Sequence, residues 1–484
     1  MYSFTEEKRM LHKTYLAQTI NRLTNGQQRG DEYLEQLQAE MTGAVLVQGD
    51  PEYDVARRGW NLNVDQHPAV IALVQSAADV VAAVRYARQT GLGIAIQSTG
   101  HGVARAADDA LLIVTAGLRN VQIDEGMATA RVEAGAVWGD VLAKAQRAGL
   151  APLLGSSPNV GVMGYTLGGG MGWLARKYGM ALDSVLAFEV VTPDGRLVRA
   201  SARENSELFW GLRGGGGALG IVTAMEINLY PVTTVYGGNL FYPASLAKAV
   251  LTRYRDWVQT LPDAMTTSVV LMNYPPIPAI PEPLRGQTMV IVRGCYAGDV
   301  AEGQRLIDEW RTWRAPQIDA FGVMPFSEVA SISMDPVDPM PSQHTGAWLS
   351  GLSDDAIAAL VRGGVPQDGP LPLVFIELRH AGGAIARHDS GAFSHRDGVF
   401  NLFINGVTPT PEARAAFTQH TDAIKAHLQP VMTGGVYLNF LAGEEVQQRT
   451  QAGFSAEAYA RLIALKAALD PTNRLAYSYD IRPA

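Results

Sequence analysis

Short apolar runs alternating with amphipathic stretches organise the first half of the chain. Ala69-Val70-Ile71-Ala72-Leu73-Val74 is apolar throughout, the pattern of a buried strand. Ser76 follows, with Asp79 three residues on, so a capping box opens a helix there. Val80, Val81, Val84 and Ala87 give that helix its apolar face and Gly91 stops it. Ile94-Ala95-Ile96 is the next strand, which predicts a β-α-β unit with parallel strands. Further strands are expected at Leu111–Val114, Ala128–Val132 and Val185–Thr192, the last ending in the turn Pro193-Asp194-Gly195, with a helix over Trp138–Ala148. Near the start, residues 4–24 read as an amphipathic helix capped by Ser3 and Glu6.

Past Pro231 the pattern changes. Prolines gather at Pro275, Pro276, Pro278, Pro281 and Pro283. Strand-like runs (Met289–Val292, Leu373–Leu378) alternate with helical ones (Ser245–Thr260, Val300–Arg314), which predicts a separate α+β unit from 236 to 435. A last helix is expected over Ser455–Leu469, before Asp470-Pro471. No repeat of about 20–50 residues stands out. The division expected is a helical extension over 1–44, a first body over 45–235, a second over 236–435, and a segment 436–484 that returns to the first.

Charge narrows the partners. With 39 Lys and Arg against 47 Asp and Glu among 484 residues, the net charge is −8, which argues against wrapping nucleic acid or lying on anionic lipid. The one cysteine, Cys295, allows no internal disulfide, in keeping with a reducing compartment. Met1–Met10 carries Glu6, Glu7, Lys8 and Arg9 ahead of any apolar run, unlike a secretory signal, and no run reaches the ~18 apolar residues of a membrane span. A cytoplasmic protein is expected, without nucleic-acid or membrane partners.

Two glycine-rich segments carry the chemistry. Gln97-Ser98-Thr99-Gly100-His101-Gly102 follows the β-α-β unit directly, and its small residues let backbone N–H groups converge on an anion such as a pyrophosphate. A histidine between two glycines can approach a ligand closely, although a lone turn histidine is more often structural or solvated. The second segment runs from Gly155 to Gly172 and includes Ser157, Val160, Gly161, Gly164, Tyr165, Gly168 and Gly169. So many glycines cost unfolded-state entropy and make sense where backbone lies flat against a large planar cofactor. Interleaved Val, Leu and Met, with Trp173, argue for ordered chain rather than a loose loop. A Rossmann dinucleotide site would show Gly-x-Gly-x-x-Gly after the first strand and an acidic residue about 20 positions on, and neither early strand is followed by one.

The order and spacing of five motifs resemble the vanillyl-alcohol-oxidase superfamily of FAD-linked oxidases (the PCMH-type FAD domain), berberine-bridge branch. They are the glycine-flanked His101, the glycine block leading into Arg176–Val185 ("RKYGMALDSV"), Asn205–Pro231, Tyr53–Ile71 and Tyr459–Pro483. The likeness is strong over about 50–232, moderate over about 435–483 and weak between. It implies an α+β chain: a two-part PCMH-type FAD-binding domain, built from 45–235 and 436–484, and a substrate domain with a largely antiparallel sheet over 236–435. It implies FAD joined covalently to His101 through an 8α-histidyl bond, held by Ser98, Thr99, Gly100 and Gly102, by the Gly155–Gly172 block, and by Gly220, Ile221, Val222 and Tyr479. The implied reaction takes hydride from a C–H next to oxygen or nitrogen of a small organic substrate to flavin N5, with dioxygen as acceptor. Oxidative cyclisation or rearrangement of a natural product, and a non-catalytic binding protein on the same scaffold, stay open, as do a monomer and a homodimer.

Departures from the family pattern mark the uncertain positions. Bicovalent members carry a cysteine where Ser157 stands, and Cys295 is far away, so a single link through His101 is expected. The glutamate base of some members aligns with Leu402, within Phe393–Leu402. Other members use a tyrosine from a "YxNY" motif, here Tyr437-Leu438-Asn439-Phe440, so Tyr437 is the leading base and His395 the second. The tail reads Ser478-Tyr479-Asp480 in place of "NQN", which puts its flavin contacts in question. His380, His388, Asp389 and His395 match no common zinc spacing, and their segment reads as a hairpin around Gly382-Gly383 and Gly391.

Overall fold

The computed structural model describes residues 30–484; the helix expected over 4–24 lies outside the described residues. The first sheet contains β1 (Val45–Leu46), β2 (Val70–Leu73), β3 (Ile94–Gln97) and β4 (Leu111–Val114). Its order is β1-β2-β4-β3, and both β2 and β3 run parallel to β4. The β-α-β unit is therefore parallel as expected, but β4 lies between its two strands. All four β4 residues are buried, which suits a central position flanked on both edges. The connecting helix, Ala77–Thr90, starts at Ser76, whose side chain accepts from the Asp79 amide, and ends at Gly91 with φ 82°. Asp79 does more than cap. Its carboxylate also accepts from the amides of Thr42, Gly43 and Gln75, pinning the turn before β1 to the helix start.

The second sheet is antiparallel, of β5 (Val121–Asp124), β6 (Thr129–Glu133), β7 (Val185–Val191), β8 (Leu197–Ser201) and β9 (Ile221–Asn228), in the order β5-β6-β9-β7-β8. One apolar core joins these two sheets and takes in Leu462, Leu475 and Ile481 from the end of the chain. The helix Ala456–Leu469 is anchored by a buried charge pair. Lys466 Nζ lies 2.7 Å from Asp470 Oδ2 and donates to the Ala218 carbonyl at 2.9 Å.

The third sheet has eight strands: β10 (Thr234–Pro243), β11 (Met265–Asn273), β12 (Thr288–Tyr296), β13 (Ile318–Asp319), β14 (Gly322–Pro325), β15 (Ser342–Leu349), β16 (Phe375–His380) and β17 (Phe400–Val407). Every pairing in it is antiparallel. Its order is β13-β10-β12-β11-β16-β17-β15, with β14 also on β10. Side chains alternate between the faces with period two. Val269, Leu271, Val290, Val292, Ile376, Leu378, Leu402 and Ile404 join the core with the helices Ala247–Trp257, Val300–Trp313, Asp354–Gly364 and Pro411–Leu428. The intervening positions, Met272, Arg293, His344, Glu377, Arg379, Phe403 and Asn405, line a cavity instead. The expected hairpin around His388 is a short helix, Ala384–Arg387, with Gly382 and Gly383 at positive φ before it.

Candidate active site

The cavity measures about 1460 Å³ and reaches from the Ser98–Gly102 turn to the third sheet. Pockets for one small molecule run roughly 300–1,000 Å³, so this one has room for a cofactor and a substrate together. At one end the Thr99 and Gly100 carbonyls accept from the Trp60 and Asn61 amides. The trans peptide turns the N–H groups of Gly100 and His101 the opposite way. Gly100 has φ 73°, and a Cβ there would stand 2.4 Å from Gly59, so only glycine fits.

His101 is held on two sides. Its ring stacks on Trp60 with centroids 4.5 Å apart, and Nδ1 lies 2.8 Å from Thr99 Oγ1. Burial pushes its pKa down to about 4, so the imidazole is neutral at neutral pH. Either partner of the Nδ1–Thr99 bond can donate; in the tautomer where Nδ1–H does, Nε2 keeps its lone pair, and Nε2 has no hydrogen-bond partner among the described residues. Ser98 Oγ and the Tyr165 hydroxyl are likewise buried without partners. Three orphaned polar atoms along one cavity, together with open side-chain space at Gly102 and Gly164, fit a long polar cofactor such as FAD.

Gly155, Ser157, Val160, Gly161, Gly164, Tyr165, Gly220, Val222 and Tyr479 also line the cavity. Gly168, Gly169, Gly172 and Ile221 do not, and three of these have another task. A Cβ on Gly168 would stand 1.9 Å from Asn439 Oδ1, one on Gly169 3.0 Å from the Tyr437 ring, and one on Gly172 1.8 Å from the Leu154 carbonyl. These glycines let Tyr437, Asn439 and Leu154 close in, where the sequence suggested a surface for a planar ring. Ile221 is fully buried in the core. The altered tail still reaches the site, since Leu475, Tyr477, Ser478 and Tyr479 all line it. The Tyr479 hydroxyl donates to the Leu438 carbonyl at 3.0 Å.

At the far end the Tyr437 oxygen faces three donors: the Gly170 amide at 2.8 Å, the Met171 amide at 3.2 Å and Asn439 Nδ2 at 2.9 Å. Burial raises its pKa above 10, while these donors and the Arg379 charge oppose the rise. His395 lies apart. It is absent from the cavity wall and its Nε2 bonds to the Ala452 carbonyl at 2.8 Å. Leu402, aligned with the glutamate base of some members, is fully buried on the helix-covered face of β17. The cavity-facing positions of that strand are Phe403 and Asn405, and a shift of one residue exchanges the two faces. His380 turns to Arg176 Nη1 at 3.2 Å and His388 packs against Gly179, so with His395 these histidines have three separate surroundings.

Sequence reasoning missed the groups on β11, β12, β15 and β16. Glu377 is buried and accepts from Ser268 Oγ at 2.8 Å and from Arg379 Nε at 2.8 Å, with Arg293 Nη1 3.5 Å away. Burial works against its charge, but Arg379, Arg293 and these bonds outweigh it and hold the carboxyl below the usual range. His344 is half-buried on the cavity wall edge-on to Phe403, and desolvation takes its pKa down to about 4. The signal was present in Phe375-Ile376-Glu377-Leu378-Arg379, where charge recurs at every second position of an apolar strand.

A family model described as an FAD binding domain matches residues 68–201. Fold and site together define an FAD-dependent oxidoreductase. The chain is 28% identical to (R)-6-hydroxynicotine oxidase of Paenarthrobacter nicotinovorans over 91% of its own length and 97% of the relative's. The crystal structure of 6-hydroxy-D-nicotine oxidase from Arthrobacter nicotinovorans superposes with a TM-score of 0.81 at 26% identity, covering 92% of this chain and 98% of that one. BBE-like 1 of Physcomitrella patens shares the fold, with a TM-score of 0.80 at 20% identity over 91% and 97% of the two chains. These likenesses support the FAD-linked oxidases of the vanillyl-alcohol-oxidase superfamily, berberine-bridge-like branch, as the family that this chain resembles. No helix among the described residues is long and apolar enough to cross a membrane.

Proposed function

We propose that this chain is an oxidase that holds FAD covalently through His101 and removes a hydride and a proton from a small substrate lodged beneath the third sheet. Bound FAD supplies the two-electron acceptor for a C–H next to oxygen or nitrogen, with dioxygen as the final oxidant. The observation that carries the reading is one continuous cavity with a neutral, partner-free imidazole nitrogen at one end and a fully buried tyrosine among three donors at the other. The bond to the cofactor is assigned to Nε2, because Thr99 occupies Nδ1 and Trp60 fixes the ring. Ser157 in place of a cysteine, with Cys295 buried in β12 outside the cavity wall, supports a single link.

Tyr437 acts as the base for the substrate O–H or N–H proton. Two backbone amides and Asn439 hold its oxygen in place and stabilise the phenolate against burial. Glu377 does not take that role, since its oxygens are committed to Ser268, Arg293 and Arg379. Purified protein should stay yellow after acid precipitation, and a peptide containing His101 should carry the mass of FAD. Complete release of colour into the supernatant would remove the covalent link and leave only a dissociable flavin.

A further inference from the structure

The roof of the cavity carries two cations against one bonded counter-charge, because Arg379 and Arg293 share the single carboxylate of Glu377. Arg379 uses Nε for Glu377, while Nη1 and Nη2 have no hydrogen-bond partner among the described residues, and its side chain keeps 18% of its surface open within the wall. Glu377 cannot turn to neutralise that fork, because Ser268 and Arg293 hold its other oxygen. The remaining acid on this part of the wall, Asp335, stands more than salt-bridge distance away. The guanidinium lies over Phe440 at 5.1 Å and Phe403 at 5.7 Å. Those two rings stack 3.9 Å apart, and Phe375 meets Phe403 edge-on at 5.4 Å. Arg379 also acts electrostatically on Tyr437, the proposed base, so fork and base belong to one end of the cavity.

The geometry points to a substrate that is an aromatic carboxylate, its planar body against Phe403, Phe440 and Phe375 and its acid group received by the Nη1/Nη2 edge of Arg379. This rests on the proposed oxidase reading and names the substrate class for that same site. A free guanidinium edge matches the two oxygens of a carboxylate. A stacked apolar wall beside it favours a flat ring over a sugar, which would need many hydrogen-bond partners on the same surface. One fork beside the buried Glu377 suits a monoanion better than a phosphate dianion, which would face that carboxylate with its second charge uncompensated.

Calorimetric titration of the purified flavoprotein with trans-cinnamate and with the uncharged trans-cinnamamide tests the assignment. The acid should bind at least tenfold more tightly than the amide, and that preference should shrink as salt is raised. Arg379→Gln should weaken cinnamate by roughly 10- to 100-fold, the range of one charge-assisted bond, and leave cinnamamide unchanged. Arg379→Lys should recover part of the loss. Equal affinity of the wild type for acid and amide, or failure of both to bind, overturns the proposal even where Arg379→Gln does not fold. The absorption spectrum of the same sample reports separately on the oxidase reading. Colourless protein that still prefers the acid removes the flavin assignment alone, and yellow protein without the preference removes the carboxylate assignment alone.

Discussion

Asn439 and Tyr437 are joined by a hydrogen bond of 2.9 Å from the Asn439 amide to the Tyr437 hydroxyl, and the same amide reaches the Tyr165 carbonyl at 3.0 Å. The asparagine therefore ties a residue of the glycine block to the tyrosine that the C-terminal segment delivers. Two residues of the C-terminal motif act as one unit on either side of the chain at Gly168–Met171. Three donors face this hydroxyl, one more than the two lone pairs of a neutral phenol oxygen and a match for the three of a phenolate.

Tyr437→Phe should keep the fold and lower the rate of substrate-dependent flavin reduction by ~10²–10⁴-fold, the usual worth of a positioned base. Burial holds the phenol above its ordinary 10. The wild-type rate should thus climb about tenfold per pH unit without a plateau below pH 10, and the variant should lose that climb. Stopped-flow reduction across pH 6–10 checks both. The change also strips an acceptor from the Gly170 and Met171 amides, costing roughly 1–3 kcal/mol of stability. A wild-type rate in the variant assigns Tyr437 to packing.

Gly168→Ala attacks the same unit from the other side. The new Cβ would stand 1.9 Å from Asn439 Oδ1, so the asparagine must leave its place or the backbone must shift. Overpacking of this kind costs about 1–3 kcal/mol. The expected result is a lower denaturation midpoint together with a loss of flavin reduction approaching that of Tyr437→Phe. Gly164→Ala meets open space and should be nearly neutral for stability. Urea titrations of the two variants, with reduction rates alongside, separate crowding at Asn439 from a general intolerance of the glycine block.

Much of the architecture was legible because local rules agreed with the final fold. Ser76, Asp79 and Gly91 mark the helix ends in sequence and in space, and Leu111–Val114 reads as a buried strand and is one. Strand order was not legible, since nothing local places β4 between β2 and β3. At the site, the His101 turn is recognisable from small residues in a row. Glu377 and Arg379 escaped notice because a strand's two faces become functionally different only once the helices cover one of them. For the same reason the sequence could not tell that Leu402 faces the helices and that Phe403 and Asn405 face the cavity. Glycines with two opposite uses, open space at Gly164 and close approach at Gly168, look alike in sequence.

Acid should destabilise the fold through two desolvated histidines. Burial takes the pKa of His344 to about 4, and burial with the nearby Arg176 takes that of His380 to about 3, against about 6.5 for an unfolded chain. Between pH 6.5 and about 4 the unfolded state binds protons that the folded state refuses, so stability falls as pH falls through that window. It is fully present above 6.5, and this contribution stops changing below about 3. Denaturant midpoints from pH 8 to pH 4 should drop mainly below 6.5, and His344→Asn should flatten the slope. A midpoint independent of pH over that range would contradict the neutral, desolvated state of these rings.

The last prediction concerns Lys466, which is fully buried and outside the cavity wall. Its ammonium donates to Asp470 Oδ2 at 2.7 Å and to the Ala218 carbonyl at 2.9 Å. Asp470 in turn accepts from the amides of Arg474 and Leu475, at 2.9 Å each. Burial draws the lysine pKa down, and the carboxylate opposes it. Lys466→Met keeps the length of the side chain but leaves a buried carboxylate without its counter-charge, which typically costs about 3–5 kcal/mol. The backbone that Asp470 holds leads directly to Leu475, Tyr477 and Tyr479 on the cavity wall. Loosening it should therefore lower FAD incorporation as well as the melting temperature, although neither Lys466 nor Asp470 lines the cavity. Arg461→Ala, on the same helix as Lys466, breaks an exposed pair with Glu207 of the helix Ser206–Leu212 and serves as the control. Exposed pairs contribute about 0–1 kcal/mol, so this variant should retain the flavin content of the wild type. If Lys466→Met melts early yet carries a full complement of FAD, the knot stabilises the helix alone and the tail finds its place on the cavity wall without it.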